Sequence, residues 1–186
     1  MESMSEKPER MDAEALFREH ASAVATFAHR LGVPRDDVHD LVQEVFLVAH
    51  RKGGYELGPA RPRTWLCAIA VRLARKAHRE RARRDPSDSP RIELARGDER
   101  DPGEQLETRR SLEHVQRALD TLDLDHRAAF VLYEIERESC EDIAAMLEVP
   151  VGTVYSRLHN ARKKFLAAHE ALASGRRSVC KAAGAR

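Results

Sequence analysis

The sequence predicts an all-α chain, with two small helical domains joined by a flexible linker. Three observations predict it. Apolar residues recur at steps of three and four through most of the chain, and no segment alternates with the period of two that a strand needs. Residues 85–103, DPSDSPRIELARGDERDPG, are rich in Pro, Ser, Gly and Asp and have no period, as a linker between domains would. Residues 139–165, SCEDIAAMLEVPVGTVYSRLHNARKKF, read as two helices around a tight turn, the pattern of a helix-turn-helix.

The elements follow in order. Residues 1–11 are polar and charged, and are expected to be disordered. Asp12 is placed to cap a helix running to about Leu31, with Leu16, Phe17, His20, Val24, Phe27, Ala28 and Leu31 as its apolar stripe. Gly32 ends it. Pro34 and Arg35 open a second helix, to about Arg51, whose Val38, Leu41, Val42, Val45, Phe46 and Ala49 face a core. Asp40, Gln43 and Glu44 lie outward as a compact acidic and polar patch. The stretch KGGYELGPARP holds three glycines and two prolines and reads as a loop.

A third helix spans about Arg63–Arg84, with Leu66, Ile69, Ala70, Leu73 and Ala77 inward. Arg72, Lys76, Arg79 and Arg83 follow at steps of four, three and four, which makes a continuous basic ridge. From Arg61 to Arg84 there are nine Arg and Lys residues against one acid, Glu80, so this segment carries +8 in a chain whose total is +1. Such segregation is costly in self-repulsion unless a polyanion faces it; the plain alternative is a solvated ridge.

After the linker, Leu112, Val115, Leu119 and Leu122 predict a helix from about Glu104 to Thr121. Leu124, Ala128, Val131, Leu132 and Ile135 predict another, ending near Arg137. Ser139 with Asp142 forms a capping box for the next helix, whose stripe is Ile143, Ala144 and Leu147. Pro150 suits the first turn of the last helix, where Val151, Val154, Leu158, Ala161, Phe165 and Ala168 share a face. The opposite face carries Thr153, Ser156, Arg157, Asn160 and Lys164, flanked by Arg162 and Lys163. Hydroxyl, amide and guanidinium groups along one helix suit base edges in a major groove, and the flanking cations suit phosphates. A solvated amphipathic helix is the plainer reading of such a face. Residues 173–186 are small and basic, a frayed tail. The expected units are thus 12–84, a linker at 85–103, and 104–172.

Composition narrows the function. No apolar run approaches the ~18 residues of a membrane span, so no membrane insertion is expected. The opening MESMSEKPERMD has no apolar core and does not read as a secretory signal, which points to the cytoplasm. Cys67, Cys140 and Cys180 are too few and too far apart for a disulfide framework or a zinc site. Cys180 alone is a weak candidate for a reactive thiol. Nine histidines lack ligand spacing, so no metal or cofactor is expected. The chain lacks clustered carboxylates and a phosphate-cradling glycine loop, so no catalytic residues are assigned. Asp36 and Asp37 sit at a helix start, where acids favour the dipole.

The segments DLVQEVFLVAH (40–50), RTWLCAIA (63–70) and DIAAMLEVPVGTVYSRLHNARKKF (142–165), in this order and at these distances, resemble regions 2 and 4 of bacterial RNA polymerase sigma factors of the extracytoplasmic-function group. The resemblance covers about residues 12–84 and 104–170. It implies a non-enzymatic factor that binds core RNA polymerase through its β′ and β subunits, directs it to promoter DNA and helps melt the −10 region. Asp40, Leu41, Gln43, Glu44 and Phe46 fall where region 2 docks on the β′ coiled coil. The 53–61 loop and the helix with Arg63, Trp65, Arg72, Lys76 and Arg79 correspond to the part that reads the −10 element. Trp65, the only tryptophan, either stacks near a base or packs under the loop, the second being the commoner role. Thr153, Ser156, Arg157, Asn160, Arg162, Lys163 and Lys164 fall on the helix that meets the −35 element. An anti-sigma factor is a partner implied by the family alone.

The chain departs from the family pattern at several places. ELGPAR stands before RTWL where a polar FRGDSS-like loop is usual, Arg72 replaces a common asparagine, Arg137-Glu138 replaces a glycine-leucine pair, and Cys140 replaces an aromatic residue. Tyr155 and Asn160 stand where basic residues are frequent. Two other readings compete. A dimeric operator-binding regulator would need a spare apolar seam, which is not apparent. A nuclease would need a carboxylate or metal motif.

Overall fold

The computed structural model describes residues 10–56, 60–84 and 104–183. The linker at 85–103 and residues 57–59 of the loop lie outside the described residues, as does the side chain of Cys180. The first unit holds α1 (Ala13–Arg30), α2 (Arg35–Arg51) and α3 (Pro62–Arg84), which pack on one another. The second holds α4 (Glu104–Leu119), α5 (Leu124–Phe130), a π-helical turn (Val131–Ile135), α6 (Cys140–Leu147) and α7 (Val151–Ala183).

The caps form where the sequence places them. Asp12 accepts a hydrogen bond from the Ala15 amide at 2.8 Å, and Ser139 Oγ accepts one from the Asp142 amide at 3.0 Å. Asp123 caps α5 in the same way, from the His126 amide at 3.1 Å. Gly32, at φ 85°, closes α1 in the left-handed region. The first core is built on Leu16, Val24, Phe27, Val45 and Leu66, the second on Leu119, Leu132, Ile143, Val154 and Leu158.

Several expectations are corrected. Residues 10–11 are ordered: β1 (Arg10–Met11) pairs antiparallel with β2 (Tyr55–Glu56), a two-residue ladder too short to show a period. Gly53 and Gly54 adopt φ 78° and 93°, and a Cβ on Gly54 would lie 2.3 Å from the Met11 carbonyl oxygen, so glycine lets this strand approach. The last helix does not fray at residue 173 but continues to Ala183. Phe17, Leu112 and Val151, assigned to apolar stripes, are exposed, as is Ala77.

The two units also meet: α3 packs against α6, and polar contacts join the two cores. Thr64, Cys67, Ala68 and Val71 are buried together with Leu66, Ile69 and Ala70, so this turn of α3 is covered nearly all round. A helix buried on both sides belongs between two layers. Burial, with Glu136 nearby, pushes the Cys67 thiol well above its ordinary range, which leaves it protonated and inert.

Candidate nucleic-acid interface

Residue chemistry on α7 sets the first surface. Glu148 ends α6 in the left-handed region at φ 56°, and Pro150 starts α7, its carbonyl accepting from the Thr153 amide at 2.8 Å. Val154, Leu158 and Ala161 are buried, which turns Ser156, Asn160, Lys163 and Lys164 to solvent. Thr153 is half-buried and its carbonyl accepts from Ser156 Oγ at 2.9 Å. Arg162 donates to Glu134 at 2.7 Å and its guanidinium lies 5.1 Å from the centre of the Tyr133 ring. Its side chain is thus fixed on the shoulder of the helix.

Arg157 is not on the outer face. At about 100° per residue it lies only about 60° from Val154 around the helix, close to the buried stripe. Its side chain is 17% exposed and Nη2 donates to Asp125 Oδ2 at 2.6 Å. Tyr155 and His159, which sequence reasoning left out of the face, are exposed beside Lys163. With Tyr133, Cys140, Leu158 and Arg162 they line a shallow hollow of about 360 Å³. The spacing 155, 159, 163 was visible in the sequence.

The second surface is the basic ridge of α3. Arg72, Lys76, Arg79 and Arg83 are exposed, as the four-three-four spacing requires. Much of the charge around them is already paired. Arg63 Nη2 lies 2.5 Å from Glu136 Oε2, and Arg72 Nη2 lies 2.6 Å from Glu148 Oε1. Arg75 Nε donates to Asp125 Oδ1 at 2.8 Å, Arg81 pairs with Asp37, and Lys76 lies 4.0 Å from Glu80. Four of these five carboxylates are beyond the ridge's own helix, three of them on the second unit. At most half of the charge imbalance read in the sequence is therefore answered within the chain, since Glu80 is already counted in it. Trp65 is half-buried with its ring 5.8 Å from that of Tyr55, whose hydroxyl donates to the Ala60 carbonyl. This is the packing position under the loop.

The third surface is the outer face of α2. Asp40 and Gln43 are exposed, Gln43 Nε2 lies 2.8 Å from His39 Nε2, and Glu44 pairs with Arg51 at 3.3 Å. Leu41 is half-buried. Phe46 is only 6% exposed and belongs to the core, meeting Phe17 edge-to-face at 5.0 Å. The apolar groups actually presented there are Leu47, 47% exposed, at the step after Asp40, Gln43 and Glu44, and Phe17, 50% exposed.

Among the described residues no group of three or more His, Cys, Asp or Glu could hold a metal ion. No described helix is long and apolar enough to cross a membrane.

Fold and surfaces define a class: a helical protein with a helix-turn-helix in its second unit and a basic ridge beside an acidic-apolar patch in its first. Comparison with known proteins gives the family. Residues 16–84 match Sigma-70 region 2 and residues 112–165 match Sigma-70, region 4. The ECF RNA polymerase sigma-E factor of Escherichia coli K12 is 33% identical over 141 residues, covering 70% of this chain and 73% of that protein. The ECF RNA polymerase sigma factor SigE of Mycolicibacterium smegmatis is 35% identical over 162 residues, covering 83% of this chain and 61% of that protein. The sigma factor RpoE of Bartonella quintana, solved with the anti-sigma factor NepR, superposes with a TM-score of 0.68 at 26% identity, over 84% of this chain and 96% of that one. CnrH, solved with the cytosolic domain of CnrY, superposes with a TM-score of 0.55 at 27% identity, over 86% and 88%.

The chain belongs to the sigma-70 family of RNA polymerase sigma factors, in its extracytoplasmic-function group. Family membership makes it a transcription initiation factor and not an enzyme.

Proposed function

We propose that this chain binds core RNA polymerase and directs it to a limited set of promoters. In this reading α2 docks on the β′ subunit through Asp40, Gln43 and Glu44, with Leu47 and Phe17 supplying the apolar contact. The second unit meets the β subunit and the −35 element, with Ser156, Asn160, Lys163 and Lys164 reaching the groove and Thr153, Arg157 and Arg162 at its margin. The ridge of Arg63, Arg72, Lys76 and Arg79 holds the separated strand at the −10 element. Melting requires no hydrolysis, since binding the opened strand shifts the equilibrium. The place of action is the cytoplasm, where the polymerase is. An anti-sigma factor is proposed as a further partner, because a solved sigma factor of similar fold is in complex with an anti-sigma factor, and CnrH, also of similar fold, with the cytosolic domain of CnrY.

The observation that carries the reading is the pairing of two surfaces in one chain. A solvent-facing polar and basic helix follows a capped turn, and a basic ridge lies beside an acidic-apolar patch. Transcription in vitro with core polymerase on a library of genomic fragments tests it. Transcripts that start at discrete sites only when this protein is added are the expected result, and no transcript from any template overturns the reading.

A further inference from the structure

We infer that Tyr155 sets a base preference of this chain at the −35 element: its ring, at the mouth of the hollow between the start of α6 and the outer face of α7, meets the C5-methyl group of a thymine. This rests on the reading of α7 as the helix that enters the major groove.

The ring is placed by its neighbours. The Tyr155 hydroxyl reaches the thiol of Cys140, the first residue of α6. Cys140 is only 7% exposed, while Tyr155 is 55% exposed. The side chain thus leans toward α6, and more than half of it stays open to a ligand. Nearby Glu141 above all raises the pKa of this phenol, so the group offered to DNA carries no charge. Val151, four residues earlier on the same side of α7, is 39% exposed.

Two large apolar groups are therefore presented by the first two turns of α7, the part of a recognition helix that contacts base edges. In water they gain nothing by exposure. In the major groove the apolar group that B-DNA presents is the thymine methyl, and an apolar side chain is what reads it. Cations stand at the rim of the same hollow. His159 and Lys163 are exposed, and Arg162 is held on the shoulder by Glu134 at 2.7 Å. An apolar centre with a cationic edge suits a base in the groove and the phosphates that flank it.

The sequence favours a property of this chain over a general feature of the fold. Cys140 stands where the family has an aromatic residue, and Tyr155 where basic residues are frequent. The small residue on α6 leaves a hollow of about 360 Å³, and the ring now stands beside it on α7. An arginine at 155 would present a fork to guanine O6 and N7; a tyrosine has no such fork and offers a ring instead.

The test uses the full chain with core polymerase on a promoter library randomised across the −35 region, with the transcripts sequenced. Wild type is expected to select a thymine, on either strand, at one position. Tyr155→Ala should select no base there, Tyr155→Phe should keep the thymine, and Tyr155→Arg should turn to guanine. A second arm replaces that thymine by deoxyuridine, which lacks only the methyl group. Wild type should then lose about fourfold in transcription at limiting holoenzyme, the scale of one buried methyl group, and Tyr155→Ala should lose nothing. Tyr155 is exposed, so the core is untouched, and circular dichroism checks the helix content. If Tyr155→Ala starts no RNA, deoxyuridine with wild type and Tyr155→Phe decides: the fourfold loss in both upholds the proposal and its absence overturns it. One base profile shared by wild type and Tyr155→Ala, an equal response of those two to deoxyuridine, or loss of thymine selection in Tyr155→Phe also overturns it, while leaving the promoter reading in place. No transcript from any template removes both.

Discussion

Asp125 and Arg157 are thirty-two residues apart and meet at 2.6 Å, so the one arginine of the −35 set at the heart of the helix-turn-helix is engaged before any DNA arrives. Its removal should therefore read differently in two assays. Arg157→Ala is expected to lower −35-dependent transcription by the holoenzyme about tenfold, the order of one lost polar contact to DNA. In the free chain, affinity for a mixed duplex should change by less, because the arginine lost was already masked and Asp125 then holds Arg75 alone. Run-off transcription and fluorescence anisotropy on the same preparation check the difference. Equal losses in both would show that Arg157 is available in the free chain.

Arg137 adopts φ 62°, where an L side chain costs about 1–2 kcal/mol and glycine does not. The tight turn between the π-helical segment and α6 requires it, with the Glu138 amide donating to the Leu132 carbonyl at 3.1 Å. Arg137 is exposed and its side chain is dispensable to the core. Arg137→Gly is expected to stabilise the fold by roughly 0.5–1 kcal/mol, the strain relieved less the entropy of the freer unfolded chain. Urea unfolding measures it, with Arg137→Ala as the near-neutral comparison.

Arg127 is 3% exposed and its Nη1 lies 3.3 Å from Asp120 Oδ1. Burial lowers the Arg127 pKa and raises that of Asp120, each partly offset by the other's charge. Arg127→Ala should cost about 3 kcal/mol, because it leaves a partly buried carboxylate with only Gln116 as partner. Arg127→Leu with Asp120→Leu should recover much of the loss, since apolar packing replaces a buried pair at little cost. Thermal unfolding of the single and double variants gives the comparison.

How much of this was legible in the sequence follows from what each kind of signal encodes. Caps at Asp12 and Ser139 and stripes such as Val154, Leu158 and Ala161 are local, so spacing revealed them. The outward turn of Asp40 and Gln43 followed for the same reason. Phe46 was read as a core position and is one, whereas the inward lean of Arg157 was misplaced because a binary inside-outside reading has no category for a helix shoulder. The pairing of Asp125 with Arg75, and of Glu136 with Arg30 and Arg63, was out of reach. Those residues are 50, 106 and 73 positions apart, and charge periodicity on one helix says nothing of which other helix answers it. The all-round burial of α3 at Cys67, Ala68 and Val71 was present as an apolar run, but was read as one face only.

His29 links pH to this architecture. Its backbone carbonyl accepts from Gln116 Nε2 of α4 at 3.2 Å, so it stands where α1 meets the second unit. Burial, then the charge of Arg35, lowers its pKa below 6.5, while Gln116 and Asp120 oppose the shift and Arg30 adds to it. Below pH 6.5 the unfolded chain then binds more protons than the folded one, so stability falls as pH drops through that window. His29→Gln should flatten the pH dependence there while keeping an uncharged polar group. Asp120, with its raised pKa, acts in the opposite sense, favouring the fold as it protonates, so the wild-type minus variant difference isolates the histidine. Urea midpoints from pH about 5 to 7 would show it, and parallel curves for the two proteins would mean that His29 titrates alike folded and unfolded.

Glu44 separates the proposed polymerase surface from the DNA surfaces. It lies on the same face as Asp40, Gln43 and Leu47, paired with Arg51 at 3.3 Å and far from the contacts of Asp125. Glu44→Lys places a cation where an acidic patch is proposed to meet a basic partner helix and also repels Arg51. It is expected to weaken core polymerase binding by at least about tenfold, the scale of a like charge at an interface, with the fold unchanged because both side chains are solvated. Leu47→Ala should weaken binding less, by loss of apolar contact alone. DNA affinity of the free chain should stay near wild type in the Leu47 variant, and rise only by the charge increment in Glu44→Lys. Native electrophoresis of labelled protein with core polymerase measures the first effect and anisotropy the second. Full polymerase affinity in Glu44→Lys would place the docking surface elsewhere on the first unit.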